Sequence, residues 1–106
     1  MDDPAQEDRI SVHAPRGMPA AMLTAYISRC LASLPNAKAA LARLDYGHVR
    51  VFGHQLKGSG GGYGIPALTE MGLRIEAAAK QGDADKLHGH LDALEAYLGR
   101  LDILSD

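Results

Sequence analysis

The stretch GHQLKGSGGGYGIP, residues 53–66, decides how the chain is interpreted, because five glycines follow a histidine and a lysine within it. Such runs are typical of phosphate-binding loops, so a nucleotide site is the first alternative. A Walker-type loop needs its lysine after the glycines and before a helix, whereas Lys57 precedes them. A dinucleotide fingerprint forced onto residues 62–67 lacks a preceding buried strand, and no segment of the chain has a strand pattern. The residues around the glycines therefore support neither of the two nucleotide-binding motifs.

The composition indicates a single small domain. The chain has 106 residues, and its 13 acidic and 11 basic residues nearly balance, which favours neither nucleic acid nor a membrane surface as partner. The one cysteine, Cys30, cannot form an internal disulfide, as is usual in a reducing cytoplasm. No apolar run approaches the roughly 20 residues of a membrane span, and residues 1–9 lack the order of a secretory signal. We expect a cytoplasmic monomer without a metal site.

The first 18 residues differ from the rest of the chain. They contain Pro4, Pro15 and Gly17 among scattered polar groups, and they have little apolar surface to bury. We therefore expect residues 1–18 to form a mobile arm with at most one short helical turn. The folded domain is expected over residues 19–106.

The first helix is predicted from apolar residues spaced alternately by four and three positions. These residues are Leu23, Ile27, Cys30, Leu34, Ala37, Leu41 and Leu44. Pro35 lies inside this pattern and lacks the backbone donor that a helix interior needs. Two alternatives stay open: one kinked helix, or a break at Leu34 with Pro35 opening a second helix.

Three further helices are predicted from caps and periodicity. Asp45 is the expected N-cap of the second helix, Pro66 opens the third, Gly82 ends it, and Asp83 or Asp85 caps the fourth. The inner faces are Val49, Phe52, Leu56, Ser59 and Tyr63; Leu68, Met71, Ile75 and Ala78; and Leu87, Leu91, Leu94, Leu98 and Leu101. Four amphipathic helices joined by short links predict an all-α fold, an antiparallel up-and-down four-helix bundle.

His54 is predicted to point away from the core. At 100° per residue it lies about 200° from both Phe52 and Leu56, which mark the inner face. Its neighbours on the outer face are Gly47, Arg50, Val51, Lys57, Gly58 and Gly61. The bare glycine positions and the exposed valine would let another protein approach the imidazole. Lys57 and Arg50, one turn to either side, would stabilise a dianionic group on the ring.

These residues together resemble the histidine-containing phosphotransfer (HPt) domain. The resemblance is carried by the sequence HQLKGS at residues 54–59, by Tyr63 and Gly64, and by LRIE at residues 73–76. It covers about residues 19–104. It implies that His54 is the phospho-acceptor, that Lys57 is its charge partner, and that Gly58 leaves room for the partner. Departures from the family pattern are Gly53, the triple glycine at 60–62, and Pro35.

The resemblance also implies a function. An HPt domain receives a phosphoryl group from the aspartate of a receiver domain, in a response regulator or hybrid kinase, and passes it to another receiver. The chain has no ATP-binding loop, so it is expected to be a phosphocarrier and not a kinase, with Mg²⁺ supplied by the receiver. The alternative is a docking module that sequesters receivers without carrying phosphate. The presence of both His54 and Lys57 favours the carrier.

Overall fold

A computed structural model describes residues 8–104, and within this range it contains four α-helices and two short β-strands. The helices are α1 (Ala20–Ala42), α2 (Tyr46–Ser59), α3 (Pro66–Gln81) and α4 (Ala84–Arg100). The strands are β1 (Ile10–His13) and β2 (Leu101–Leu104), which pair in parallel. The predominantly helical architecture with four helices confirms the prediction of an all-α bundle, whereas the strands were not predicted.

The apolar faces of the four helices form one core. Its largest fully buried side chains are Leu23, Leu34, Leu41, Val49, Ile65, Leu68, Ile75, Leu87, Leu91 and Leu94. Because burying a leucine-sized side chain stabilises a protein by about 1.5–3 kcal/mol, this core is the main source of stability. None of the helices within residues 8–104 combines the length and the apolar character needed to cross a membrane.

The N-terminal caps of α2 and α4 are aspartates. Asp45 accepts a hydrogen bond from the backbone N–H of His48 at 3.2 Å, which confirms its predicted role. Asp83 accepts one from the N–H of Lys86 at 3.1 Å. Of the two candidate caps for the last helix, Asp83 is therefore the cap, and Asp85 lies in the first turn of α4, where its negative charge favours the helix dipole.

Proline and glycine act at the predicted positions in α1 and α3. Helix α1 continues through Pro35 as one helix, so the alternative of a break at Leu34 is wrong. Pro66 occupies the first turn of α3, where a missing N–H costs nothing. Gly82 ends that helix with a φ of 65°, a left-handed conformation that a residue without a β-carbon adopts easily.

The predicted inner face of α1 is correct except for Leu44. This residue lies beyond the helix, has a φ of 59° and is 62% exposed. The Leu44 N–H donates to the Leu41 carbonyl at 2.9 Å, and the Asp45 N–H donates to the Ala40 carbonyl at 2.8 Å. This is a Schellman motif, whose left-handed position is usually glycine. The motif turns the chain sharply enough to remove Leu44 from the core.

The predicted extension of the second helix to Tyr63 is wrong. Helix α2 ends at Ser59, and residues 60–64 form turns. A β-carbon on Gly60 would lie 2.7 Å from the backbone nitrogen of Thr69 on α3, so the chain here packs directly on that helix. Glycine also disfavours helix propagation by about 1 kcal/mol per residue relative to alanine, and the spacing of apolar residues does not take this cost into account. Tyr63 stacks on Tyr26 instead, with ring centroids 3.9 Å apart.

The prediction that the chain has no strand is also wrong. Strand β1 pairs with β2 in register from Ile10 opposite Leu101 to His13 opposite Leu104, so residues 10–13 are not an unpaired arm. Leu101, assigned above to the last helix, begins β2. Four-residue strands are too short for alternation to stand out, although Ile10 and Val12 are the partly buried residues of β1 and its other two are exposed. The expectation for residues 1–7 lies outside the described residues.

The left-handed conformation of Leu44 leads to a stability prediction. Leu44→Gly should raise the free energy of unfolding by roughly 0.5–1 kcal/mol, because glycine adopts a positive φ without the steric cost that a β-carbon imposes. The matched control is Leu44→Ala, which also removes the exposed side chain but keeps the β-carbon. Chemical denaturation measures both variants. A Leu44→Gly variant less stable than Leu44→Ala would contradict the assignment of strain.

Candidate functional site

The site lies where α2 and α3 approach most closely, at two facing glycines. A β-carbon on Gly53 would lie 2.7 Å from the backbone nitrogen of Glu76, a distance that real β-carbons do not show. A β-carbon on Gly72 would overlap the backbone nitrogen of Lys57 and lie 2.7 Å from the carbonyl oxygen of Gly53. The two backbones are therefore in direct contact. This contact accounts for the glycine at position 53 and brings Glu76 beside α2.

Among the described residues 8–104, Glu76 is the one buried residue that is polar or charged, and its side chain is only 6% exposed. One carboxylate oxygen accepts a hydrogen bond from Nζ of Lys57 at 2.7 Å, and the other pairs with Nδ1 of His54 at 2.7 Å. The bond from Lys57 is the largest cause that lowers the pKa of Glu76 from 4.5 to about 2, followed by the bond from His54. A buried carboxylate with two such partners stays ionised at neutral pH.

The ionised carboxylate selects the tautomer of His54. An ionised carboxylate accepts hydrogen bonds and cannot donate them, so Nδ1 of His54 carries the proton. In the neutral imidazole the lone pair is then on Nε2. The His54 side chain is 66% exposed, and within residues 8–104 Glu76 is its one hydrogen-bond partner. In its neutral form the ring therefore presents an unprotonated nitrogen on the surface of the bundle, as a nucleophile requires.

Most of the predicted outer face lies around His54 as expected. Gly47, Arg50 and Gly58 are exposed, and Val51 is 47% exposed. A β-carbon on Gly58 would meet nothing within 4 Å, so the space above this position is open. Lys57 is one-third exposed and bonded to Glu76, so its charge is directed at the carboxylate.

Gly61 does not lie on this face of the helix. It follows the end of α2, and its backbone N–H donates to the Thr69 hydroxyl of α3 at 2.9 Å. The prediction that Gly61 shares the outer helical face with His54 is therefore wrong. Its contact with Thr69 holds the turn after α2 against α3.

A shallow groove between α1 and α2 adjoins the same surface. One part of it, of about 340 Å³, is lined by Tyr26, Arg29, Cys30, Ser33, Phe52, Gln55, Leu56, Ser59 and Tyr63. A second depression of about 430 Å³ shares Ser33, Phe52 and Gln55 and continues to Val51 and His48. Neither α1 nor α2 contains an aspartate or a glutamate. The groove is thus partly apolar, and Arg29 is the one charged residue that lines its first part.

Within residues 8–104 there is no group of three or more histidine, cysteine, aspartate or glutamate side chains placed to hold a metal ion. Glu76, the carboxylate beside His54, already has both of its oxygens engaged.

Sequence reasoning missed the role of Glu76. The residue was part of the motif at residues 73–76, but no contact with His54 was inferred from it. The available signal was its position directly after the inner-face residue Ile75, which places a carboxylate at the edge of the core. A carboxylate at such a position needs a partner, because burying an unpaired charge is costly. His54 and Lys57 are the nearest donors across the glycine contact.

Comparison with known proteins gives one finding. The family model described as Hpt domain matches residues 21–103, which is most of the chain and includes the four helices except for Ala20, the first residue of α1. No curated protein and no solved structure matches the chain.

The low pKa of Glu76 leads to a prediction for acid denaturation. Its folded pKa of about 2 lies below the ordinary value of 4.5, so the carboxylate stabilises the fold above pH 4.5. That contribution should be lost as the pH falls from 4.5 towards 2. Thermal melts over this range should show a smaller loss of stability for Glu76→Gln than for the unmodified protein.

The control for this experiment is Glu70→Gln, which removes an exposed carboxylate from the same helix. We expect this variant to keep the pH dependence of the unmodified protein. If Glu76→Gln and the unmodified protein lose stability in parallel between pH 4.5 and 2, the carboxylate does not have the assigned ion pairs in solution.

Proposed function

The chain belongs to the Hpt domain family, whose members take part in histidine phosphotransfer in phosphorelays, and on that premise we propose that His54 is its phosphoryl carrier. His54 accepts the group from the aspartyl phosphate of one receiver domain and passes it to the aspartate of another. Hpt domains are phosphocarrier modules and not kinases, and the chain has no sequence typical of an ATP site. The proposed partners are receiver domains of response regulators or hybrid histidine kinases.

The observation that carries this proposal is the hydrogen bond between Nδ1 of His54 and Glu76. It leaves the lone pair on Nε2, which attacks the phosphorus of the aspartyl phosphate in line with the bond that breaks. The electron pair of the broken P–O bond stays on the aspartate carboxylate. The phosphorylated ring is then an imidazolium, and Glu76 stabilises its positive charge through the Nδ1–H. In the second transfer a carboxylate oxygen of the acceptor aspartate forms the new bond to phosphorus, and the electrons of the N–P bond return to Nε2.

Lys57 acts in this proposal as a positioning residue. Its ammonium group holds one oxygen of Glu76, so that the other oxygen is directed at Nδ1 of His54. The ion pair keeps Glu76 in the ionised form, which can only accept a hydrogen bond. In the neutral imidazole this hydrogen bond selects the tautomer with the proton on Nδ1 and the lone pair on Nε2.

The partner supplies what the chain lacks. The acceptor or donor aspartate and a Mg²⁺ ion are expected on the receiver, as the family resemblance implies. The open position at Gly58 and the exposed Val51 give the receiver a surface to approach, and Gly47 adds a second side-chain-free position. Since the two proteins must separate after each transfer, we expect an interface below about 1,200 Å² in total. The proposal further includes a cytoplasmic monomer with the four helices running up and down in sequence, as short loops favour.

Substitution of the carrier tests the proposal directly. His54→Gln should abolish acid-labile labelling by a phosphorylated receiver, while the fold is retained, because the glutamine amide can still donate a hydrogen bond to Glu76. His48→Gln is the matched control, because His48 is also an exposed histidine of α2. It should be labelled normally. Full labelling of the His54 variant would show that the phosphoryl group is carried elsewhere.

The close approach of the receiver is tested at Gly58. Gly58→Glu should block labelling by a receiver, because a long negative side chain then occupies the open space beside His54. Gly89→Glu on α4 is the matched control, since a β-carbon there also meets nothing within 4 Å. Both variants should gain helical propensity equally. Calorimetry should show lost receiver binding for Gly58→Glu alone, and equal binding by the two variants would contradict docking over this face.

A further inference from the structure

Strand β1 is joined to the helical bundle by a short hinge, residues 14–19, with the sequence APRGMP. Within this hinge the N–H of Met18 donates to the carbonyl of Pro15 at 2.9 Å, and Gly17 has a φ of 85°. A positive φ at the third position of a four-residue turn is typical of a type II turn, which favours glycine there. The direction in which β1 leaves α1 is therefore set by one turn and by one glycine.

The strand that pairs with β1 belongs to the far end of the chain. The parallel ladder with β2 begins with Ile10 opposite Leu101 and continues along all four residues of each strand. Arg100 adds a hydrogen bond from Nε to the carbonyl of Asp8 at 2.6 Å. A two-stranded sheet is marginally stable on its own in water. When the hinge opens, each strand presents an unpaired edge, and such an edge is a template for pairing with another chain.

A second copy of the chain is the occupant that fits the place which β1 leaves. Because the second copy supplies an identical strand, the backbone hydrogen bonds of the ladder and the packing of Val12 on the core can form again in the same geometry. Pro15 lies against the turn that follows α2, since a β-carbon on Gly64 would be 3.0 Å from its Cγ. In an exchanged pair this contact joins the two copies.

We propose that β1 is exchanged between two copies of the chain, so that the β1 of each copy pairs with the β2 of the other and the two bundles form a dimer. The hinge straightens at residues 16–18, and the other contacts of β1 are kept. The monomer proposed above is the unexchanged state of the same chain. The inference is independent of the proposed function, because His54, Lys57 and Glu76 lie on α2 and α3 and are unchanged by the exchange. The dimer therefore carries two His54 sites in one particle.

The glycine of the hinge gives the first test. Gly17→Ala strains the turn of the unexchanged state but not a straightened hinge, and the effect is confined to the backbone because a β-carbon at Gly17 meets nothing within 4 Å. Such strain favours opening by roughly tenfold per hinge, and a dimer contains two hinges, so its association constant should rise by about 100-fold. Gly17→Asn should have a smaller effect, since asparagine tolerates a positive φ.

Size-exclusion chromatography with light scattering measures the dimer fraction of the full chain at concentrations up to about 1 mM, which detects dissociation constants in that range. The matched control is Gly89→Ala, which adds a β-carbon in equally open space on α4 and should leave the dimer fraction unchanged. If the unmodified protein and Gly17→Ala both stay monomeric over this range, the exchange is overturned. An equal increase in Gly17→Ala and Gly89→Ala would also overturn it, because the effect would not come from the hinge.

A disulfide across the strand pair tests which surface joins the copies. Ser11 and Asp102 are partners in the ladder and are both exposed, and neighbouring strands about 4.7–4.9 Å apart lie within the reach of a disulfide. In chains that carry Cys30→Ala, Ser11→Cys and Asp102→Cys are mixed at high concentration and should form a disulfide between two chains. Each variant oxidised alone is the control for disulfides that do not depend on the pairing. Absence of the mixed disulfide would overturn the exchange.

The same two substitutions in one chain provide the converse test. Oxidised at low concentration, the double variant ties β1 to its own β2, so it should stay monomeric when concentrated and should dimerise again after reduction. Dimers of the oxidised double variant would show that the copies associate through another surface, and the exchange of β1 would then be wrong.

Discussion

The proposed chemistry of this protein depends on one carboxylate that reaches the surface histidine from inside the bundle. Glu76 lies on α3 with its side chain almost fully buried, and it spans to two residues of α2. This is possible because Gly53 and Gly72 let the two backbones touch, so no side chain separates the helices at this level. A larger residue at either glycine would move α3 outwards and carry Glu76 away from His54. The core packing and the tautomer of the histidine are thus parts of one arrangement.

Much of the fold and of the candidate site could be predicted from the sequence, because the relevant signals are local. The leucines on the inner face of α4, the cap at Asp45 and the outward direction of His54 all follow from helical periodicity and backbone hydrogen bonding. What could not be predicted depends either on an uncommon backbone conformation or on contacts between distant segments. Leu44 fitted the apolar period of α1 but is removed from the core by a backbone motif that a non-glycine residue seldom forms. Strands β1 and β2 could not be predicted because each is stabilised by pairing with the other, and the two lie near opposite ends of the chain.

Glu76 shows a second limit of sequence reasoning. Glu76 directly follows the inner-face residue Ile75, and glutamates at the edge of a helix's apolar face usually extend into solvent. The surface residue that Glu76 meets depends on how closely α2 and α3 approach. That distance is set by Gly53 and Gly72, and glycine is a residue that disfavours helix formation. A glycine in a helix thus has two opposite effects here. It weakens the isolated helix, and it allows the interhelical contact that positions the functional group.

The parallel pairing of β1 with β2 has a consequence for the way the chain folds. Arg9 and Gly99, which are joined by a hydrogen bond beside these strands, are 90 positions apart in the sequence. Every helix lies within the loop that this pairing closes, whereas the contacts between α2 and α3 span far fewer residues. Closing a long loop costs more chain entropy than closing a short one. This entropy cost is smaller for the strand pair once the helices have brought the two strands close together. The strand pair is thus a late, cooperative closure, whose stability reports on whether the whole bundle between its strands is intact.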